Sequence, residues 1–178
     1  MGLLGLFTRR PHERAAFALY GAAVASARQP AYFGRMGVPD TLNGRFDLVS
    51  LHVALLIERL RRDPDPVGPK LAQAVFDAMF ADMDVNLREM GVGDLVVGKR
   101  VKTMWEAFHG RAAAYSEAMD AGAGLEAALE RNVWRGEAPA GAAAELGAQC
   151  LAIRTSLAAQ PLAAMLKGEA RFPPAPAP

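Results

Sequence analysis

Residues 41–62 are apolar on two sides of one helical segment. At about 100° per residue, Phe46, Val49, Val53, Leu56, Ile57 and Leu60 fall in one arc, and Leu48, Leu51 and Leu55 in another. A helix with a single stripe can lie on a surface, but one with two must be enclosed. The rest of the chain offers helices to enclose it. No stretch sustains period-2 alternation, and alanine, leucine, methionine, glutamate and arginine dominate the long segments. Breakers at Gln29-Pro30, Gly37-Val38-Pro39, residues 63–69, Gly91-Val92-Gly93, residues 121–124 and residues 136–139 divide them. Helices are expected at about 12–28, 41–62, 69–90, 95–120, 124–134 and 140–167. The expected fold is all-α, a single-domain bundle of about six helices around a central, buried second helix. A flexible basic and apolar N-terminus (1–11) precedes the helical domain (12–168), and an extended, mobile, proline-rich tail (169–178) follows it.

Composition fits this. Of 178 residues, 52% are hydrophobic and 22% charged, which is the balance of a folded globule. A lone Cys150 cannot form an internal disulfide; it fits a reducing compartment and reads as a small buried apolar residue. The net charge of +1 argues against a broad nucleic-acid binder, so DNA is not an expected partner. That total conceals a segregation. Residues 1–62 carry nine basic and four acidic residues, a net of +5, whereas residues 63–94 carry two and seven, a net of −5. Pairing between the two stretches is the simpler reading; charged patches for partners are the other.

No uncharged run approaches the roughly 18 to 20 residues that span a bilayer. The start has its positive charge after its short apolar stretch, unlike a signal peptide, and Leu6 stands where myristoylation wants Ser or Thr. Arg9, Arg10, His12 and Arg14 behind that greasy tip form either a weak foot on an anionic membrane or a frayed terminus.

Two core stripes stand out. Phe76, Phe80, Met83, Leu87 and Met90 run along one helix, and Val97, Val101, Met104, Phe108, Ala112, Tyr115 and Met119 along the next. Lys70, Asp77, Asp84 and Arg88 lie opposite the first, and Lys99, Lys102 and Glu106 opposite the second, as solvated faces. Between the two arcs of the central helix, Arg45, His52 and Arg59 form a column at seven-residue spacing. Cations flanked by leucines need anionic partners. Asp77, Asp82, Asp84 or Asp94 are the internal suppliers; a ligand or partner is the alternative.

Catalytic motifs fail on inspection. Gly93 to Lys99 has the spacing of a phosphate loop, but Arg100 stands where Ser or Thr must bind magnesium, and Asp94 would repel phosphate. Asp94 reads instead as the N-cap of the helix at 95–120, with Gly91 and Gly93 ending the helix before it. Glu106-Ala107-Phe108-His109 matches one di-iron ligand pair without the second copy. His12, His52 and His109 share no metal spacing, and there is no nucleophile elbow. No enzyme activity, metal or cofactor is expected.

Taken together, Leu19-Tyr20, Ala27-Arg28, Tyr32-Phe33, Gly37-Val38-Pro39-Asp40-Thr41, Gly44-Arg45-Phe46-Asp47, Leu51-His52 and Arg59-Leu60 resemble the ubiquinol-cytochrome c chaperone family. The resemblance continues through Phe76-Asp77, Met83-Asp84, the string from Leu87 to Asp94, Val97, Lys99, Lys102, Phe108, Gly110-Arg111 and Tyr115. It covers about residues 15–135 and looks like a bacterial member. It implies a non-enzymatic assembly factor for ubiquinol-cytochrome c reductase that binds newly made cytochrome b, cytoplasmic and peripheral at the inner membrane. Mitochondrial relatives work with a small helper protein and the ribosome. A helical carrier of haem or quinone for the same complex is the alternative. The family offers no catalytic residues, so the candidate client or partner surface rests on the residues themselves: Arg45, Asp47, His52, Arg59 and Asp94 with the loop Gly91 to Asp94. Lys99, Arg100 and Lys102 are candidate contacts for anionic lipid or ribosomal RNA. Met79, Met83, Met90, Met104 and Met119 are the candidate lining of an adaptable groove, with at most two or three of them exposed.

Overall fold

The computed structural model describes residues 12–176, so the expected foot of Arg9 and Arg10 lies outside the described residues. Among the described residues there are eight helices and no strand: α1 (Glu13–Ala27), α2 (Pro30–Gly34), α3 (Leu42–Arg61), α4 (Val67–Glu89), α5 (Asp94–Ala121), α6 (Leu125–Val133), α7 (Ala142–Ala158) and α8 (Leu162–Met165).

The enclosed helix is α3. Twelve of its twenty residues are buried, and it packs against α1 and α4 as well as α5, α6 and α7. That double coverage is what two apolar arcs demand. Its start is built by the sequence ahead of it: the Thr41 hydroxyl accepts the Gly44 N–H at 3.2 Å, leaving Thr41 extended as an N-cap. Gly44 is required for a steric reason. A Cβ there would sit 1.9 Å from the Pro39 carbonyl oxygen, so the Gly37 to Thr41 loop can lie flat on the first turn only because position 44 has no side chain.

Two departures from expectation have a common cause. α2 begins at Pro30, read from sequence only as a break, because proline's fixed φ and missing N–H suit the first helical position. The helix expected over 140–167 is α7 and α8, divided at Pro161, which can neither donate to the ladder nor make room for the carbonyl four residues back. The tail also differs. Rather than standing free, residues 169–176 lie against the bundle, with Ala170, Phe172 and Ala175 packed on the core.

Candidate functional site

The α4–α5 hairpin carries the surface that the bundle does not use. Gly91, at φ 78°, ends α4 in a Schellman arrangement: its N–H donates to the Arg88 carbonyl at 2.9 Å and the Val92 N–H donates to the Leu87 carbonyl at 3.1 Å. Gly93 is the N-cap of α5, and Asp94, expected to be that cap, is the first helical residue instead. An acidic group there still faces the positive end of the helix dipole. Arg88 bonds Asp84 at 2.7 Å and also pairs with Asp94, tying the two helices at their turn. Leu87 and Val97 are buried but stand outside the continuous core, and in residues 94–107 of α5 only Val97 is buried.

Several large apolar side chains near this turn are exposed. Leu95 is 96% exposed, with Met90, Val85 and Val96 about half exposed beside it in sequence. Fully burying one leucine is worth roughly 1.5–3 kcal/mol, so Leu95 left bare is apolar area that the bundle's own packing does not use. Lys99, Arg100 and Lys102 follow on the same helix, all exposed. Lys102 approaches Glu106 at only 3.9 Å, and neither Lys99 nor Arg100 makes an ion pair among the described residues. One turn further on, Trp105 is half exposed and stacks on His109 with ring centroids 4.0 Å apart.

The column on α3 does something else. His52 is wholly buried: its Nδ1 bonds the Leu48 carbonyl at 2.8 Å and its Nε2 meets the Tyr32 hydroxyl at 3.2 Å. With Nδ1 as donor, Nε2 accepts from the phenol. Burial pushes the imidazole down to about 4 and the Tyr32 phenol up to about 12, so His52 is neutral and not a cation at all. Arg59 is internal too. Its Nε donates to the Leu157 carbonyl at 3.1 Å, one Nη to the Gln160 carbonyl at 2.9 Å and the other to Asp63 at 2.8 Å, capping the C-terminus of α7. Only Arg45 reaches solvent, and it grips Asp40 at 2.6 Å and lies over the Phe33 ring, holding the preceding loop.

The named suppliers are engaged elsewhere: Asp82 accepts from the Tyr20 hydroxyl at 2.7 Å, Asp77 from Gln73 at 2.9 Å, and Asp84 and Asp94 from Arg88. Of the ion pairs among the described residues, only Arg59 with Asp63 joins the basic stretch to the acidic one. Pairing between the halves is thus not what the charge segregation does.

Asp47 is likewise internal, 3% exposed, and pairs with Arg111 of α5 and with Arg135 at 2.7 Å. Burial pushes its carboxyl up from the usual carboxylate value, and the two guanidiniums pull against that rise. Arg135 holds a left-handed φ of 60°, uncommon for a non-glycine, between Asp47 and the Asn132 carbonyl. Sequence reading missed both arginines. It also missed the network in which Glu58 accepts from Arg62, Arg154 and Ser116 while Asp120 accepts from the same two arginines, joining α3, α5 and α7. Of the groove methionines, Met79, Met83 and Met119 are buried, Met104 is half-buried and Met90 alone is exposed. Cys150 is buried and its thiol pushed up to about 12, which leaves it unreactive.

Residues 34–172 match the model of the family described as ubiquinol-cytochrome C chaperone. The chain belongs to that family. Among similar structures, the Cbp3 homolog from Brucella abortus superposes with a TM-score of 0.80 at 36% identity, over 91% of this chain and 90% of that one. Ubiquinol-cytochrome-c reductase complex assembly factor 1 of Xenopus laevis is 26% identical over 67% of this chain and 60% of its own length. The protein of that name from Mus musculus is 28% identical over 66% of this chain and 40% of its own. The match thus spans 60% and 40% of these curated relatives, less than two thirds of either. In this family member, the string Gly37 to Asp47 builds the α3 N-cap and the Asp47 clamp, and Leu87 to Asp94 builds the hairpin turn. Both of these strings are structural, and the exposed Leu95 and Val96 lie just beyond the second.

Proposed function

We propose that this chain is a non-enzymatic assembly factor that holds newly made cytochrome b at the cytoplasmic face of the inner membrane, with the α4–α5 tip as its working surface. The observation that carries the reading is that α5 places the exposed Leu95 and Val96 one turn ahead of the exposed Lys99 and Arg100, with Lys102 on the same face as Leu95. A binder selective for the unfinished form of an apolar subunit stabilises that form by mass action, and no catalytic step is needed. Cytoplasmic loops of membrane subunits are rich in Lys and Arg, which would repel the trio. Anionic headgroups attract it, by about 1 kcal/mol per cation near the surface. The trio therefore reads lipid, and the apolar cap meets the client at the edge of the bilayer. No described helix is long and apolar enough to cross a membrane, so any attachment through the described helices is by surface contact. The carrier alternative gains no support from the crevice of about 380 Å³ between α3 and α7, since Glu58, Arg59, Arg62, Asp63 and Arg154 line it and pair with one another or with neighbouring groups.

The test is complementation of a deletion strain with Leu95→Asp/Val96→Asp, followed by affinity capture. Because both side chains are exposed, the variant is expected to melt with the native chain while losing captured cytochrome b. Normal cytochrome b levels and capture would refute the tip as the client surface. Separately, Lys99→Gln/Arg100→Gln/Lys102→Gln is expected to abolish sedimentation with anionic vesicles. Loss of ribosome binding with vesicle binding intact would refute the lipid assignment.

A further inference from the structure

The tail of this chain is held by a groove built to read main chain. Gln160 makes a reciprocal pair with Arg171, its Nε2 donating to the Arg171 carbonyl at 2.7 Å and its Oε1 accepting the Arg171 N–H at 2.8 Å. The Ser156 hydroxyl adds a bond to the same carbonyl at 3.3 Å. Further along, Gln149 Nε2 donates to the carbonyls of Pro173 and Pro174 at 3.3 and 3.1 Å, and Gln29 Oε1 accepts the Ala175 N–H at 2.7 Å. Every one of these bonds is made to the tail's backbone. The single large anchor is Phe172, whose ring lies 6.0 Å from that of His52 on the groove floor. Ala170 and Ala175 are the other tail residues on the core, and both are small.

This is the pattern of a peptide site: backbone groups hold an extended segment in place, one aromatic fills a pocket, and the other positions carry little sequence demand. Prolines suit it because the groove asks their carbonyls to accept and asks no N–H of them. The occupant is an extended segment outside every helix, so it can leave without moving one. Gln149, Gln160 and His52 lie inside the stretch matched by the family model, which ends at Phe172; the occupant beyond Phe172 lies outside it.

We propose that the groove formed by His52, Gln149, Gln160 and Gln29 is a docking site for an extended, proline-rich and mostly apolar segment of a partner chain carrying one aromatic residue, and that residues 170–176 are its resident competitor. The tether gives the tail an effective concentration in the millimolar range, enough to exclude weak ligands and to yield to a segment that binds more tightly or is itself held nearby. Nothing in this depends on the hairpin tip, on a membrane or on the identity of the client.

The experiment uses the full chain. Phe172→Ser removes the anchor and is expected to raise the rate of tryptic cleavage after Arg171 about tenfold with helix content unchanged; Gln160→Leu serves as a second release variant. A labelled peptide with the sequence of residues 169–178 is then expected to bind the released chains about tenfold more tightly than the native chain, the difference being the tail's own occupancy. Adding Gln149→Met to Phe172→Ser, which keeps the volume and removes the donor, is expected to weaken that binding severalfold. An unrelated Pro/Ala peptide with one phenylalanine is expected to compete, and the same peptide with aspartate in its place is not. The proposal is overturned if the tail stays protected in both release variants, if released chains bind the peptide no better than the native chain, or if only the native sequence binds.

Discussion

His52 makes stability depend on pH in a direction that can be calculated. In the unfolded chain the imidazole titrates near its ordinary value of about 6.5; in the fold, burial among α3, Tyr32 and Phe172 pushes it down to about 4. Between those values the unfolded state binds a proton that the native state refuses, so the contribution is fully present above about pH 6.5 and is lost as pH falls towards 4. Integrating over the interval, the His52 contribution falls by about 2 kcal/mol between pH 7 and pH 5, and by about 3 kcal/mol by pH 4. The perturbation is His52→Asn, which keeps a short polar group near the Leu48 carbonyl and does not titrate. Urea unfolding of both chains, followed by circular dichroism at each pH, gives two differences, and subtracting them cancels the carboxylates and the other two histidines. The native chain is expected to lose about 2 kcal/mol more than His52→Asn between pH 7 and pH 5. Parallel losses, or a native His52 ring that titrates near 6.5 by NMR, would refute the buried neutral imidazole.

Two further substitutions probe the frame. Gly44→Ala should lower unfolding free energy by about 1–3 kcal/mol in urea titration, although alanine favours helices, because its Cβ would meet the Pro39 carbonyl at 1.9 Å; an unchanged midpoint would mean the loop can move away. Asp47→Asn leaves Arg111 and Arg135 without their carboxylate and should cost about 3–5 kcal/mol by the same assay, with the Arg135 loop becoming susceptible to trypsin.

The helical architecture was legible because period and punctuation are local properties. The two arcs of α3 announce that neighbours must lie on both sides, and the breaks at residues 63–69, 91–93 and 121–124 separate the helices much as the structure does. Charge was not legible in the same way. Arg45, His52 and Arg59 share one column of α3, yet one clamps a loop at the surface, one is neutral and one caps a helix about a hundred residues away in sequence. Spacing along a helix tells which side chains point together; it does not tell what lies opposite. Nor could the Val97 to Met119 stripe show that its first half outruns the core: Val97 is buried outside the continuous core, and the leucine two residues before it is bare.

That last contrast bears on where a partner surface should be sought. Had the +5 and −5 stretches neutralised one another, few cations would remain for anything outside the chain. Instead Arg45 and Arg59 of α3 and Arg62 at its end are engaged locally or with α5 and α7, through Asp40, Glu58, Asp63 and Asp120, and by carbonyls of α7 and the turn after it. Arg88, Arg111, Arg135 and Arg154 close the remaining joints between helices. Lys99 and Arg100 form no ion pair among the described residues, and they follow one turn after the most exposed leucine among them. A cation that braces the fold is recognised by its partner, and Lys99 and Arg100 brace nothing that the described residues show. Because these two stand next to apolar groups that also lack cover, neither desolvation of charge nor hydrophobic burial has been completed at the hairpin tip, and one surface offering both charge and apolar area could complete them together.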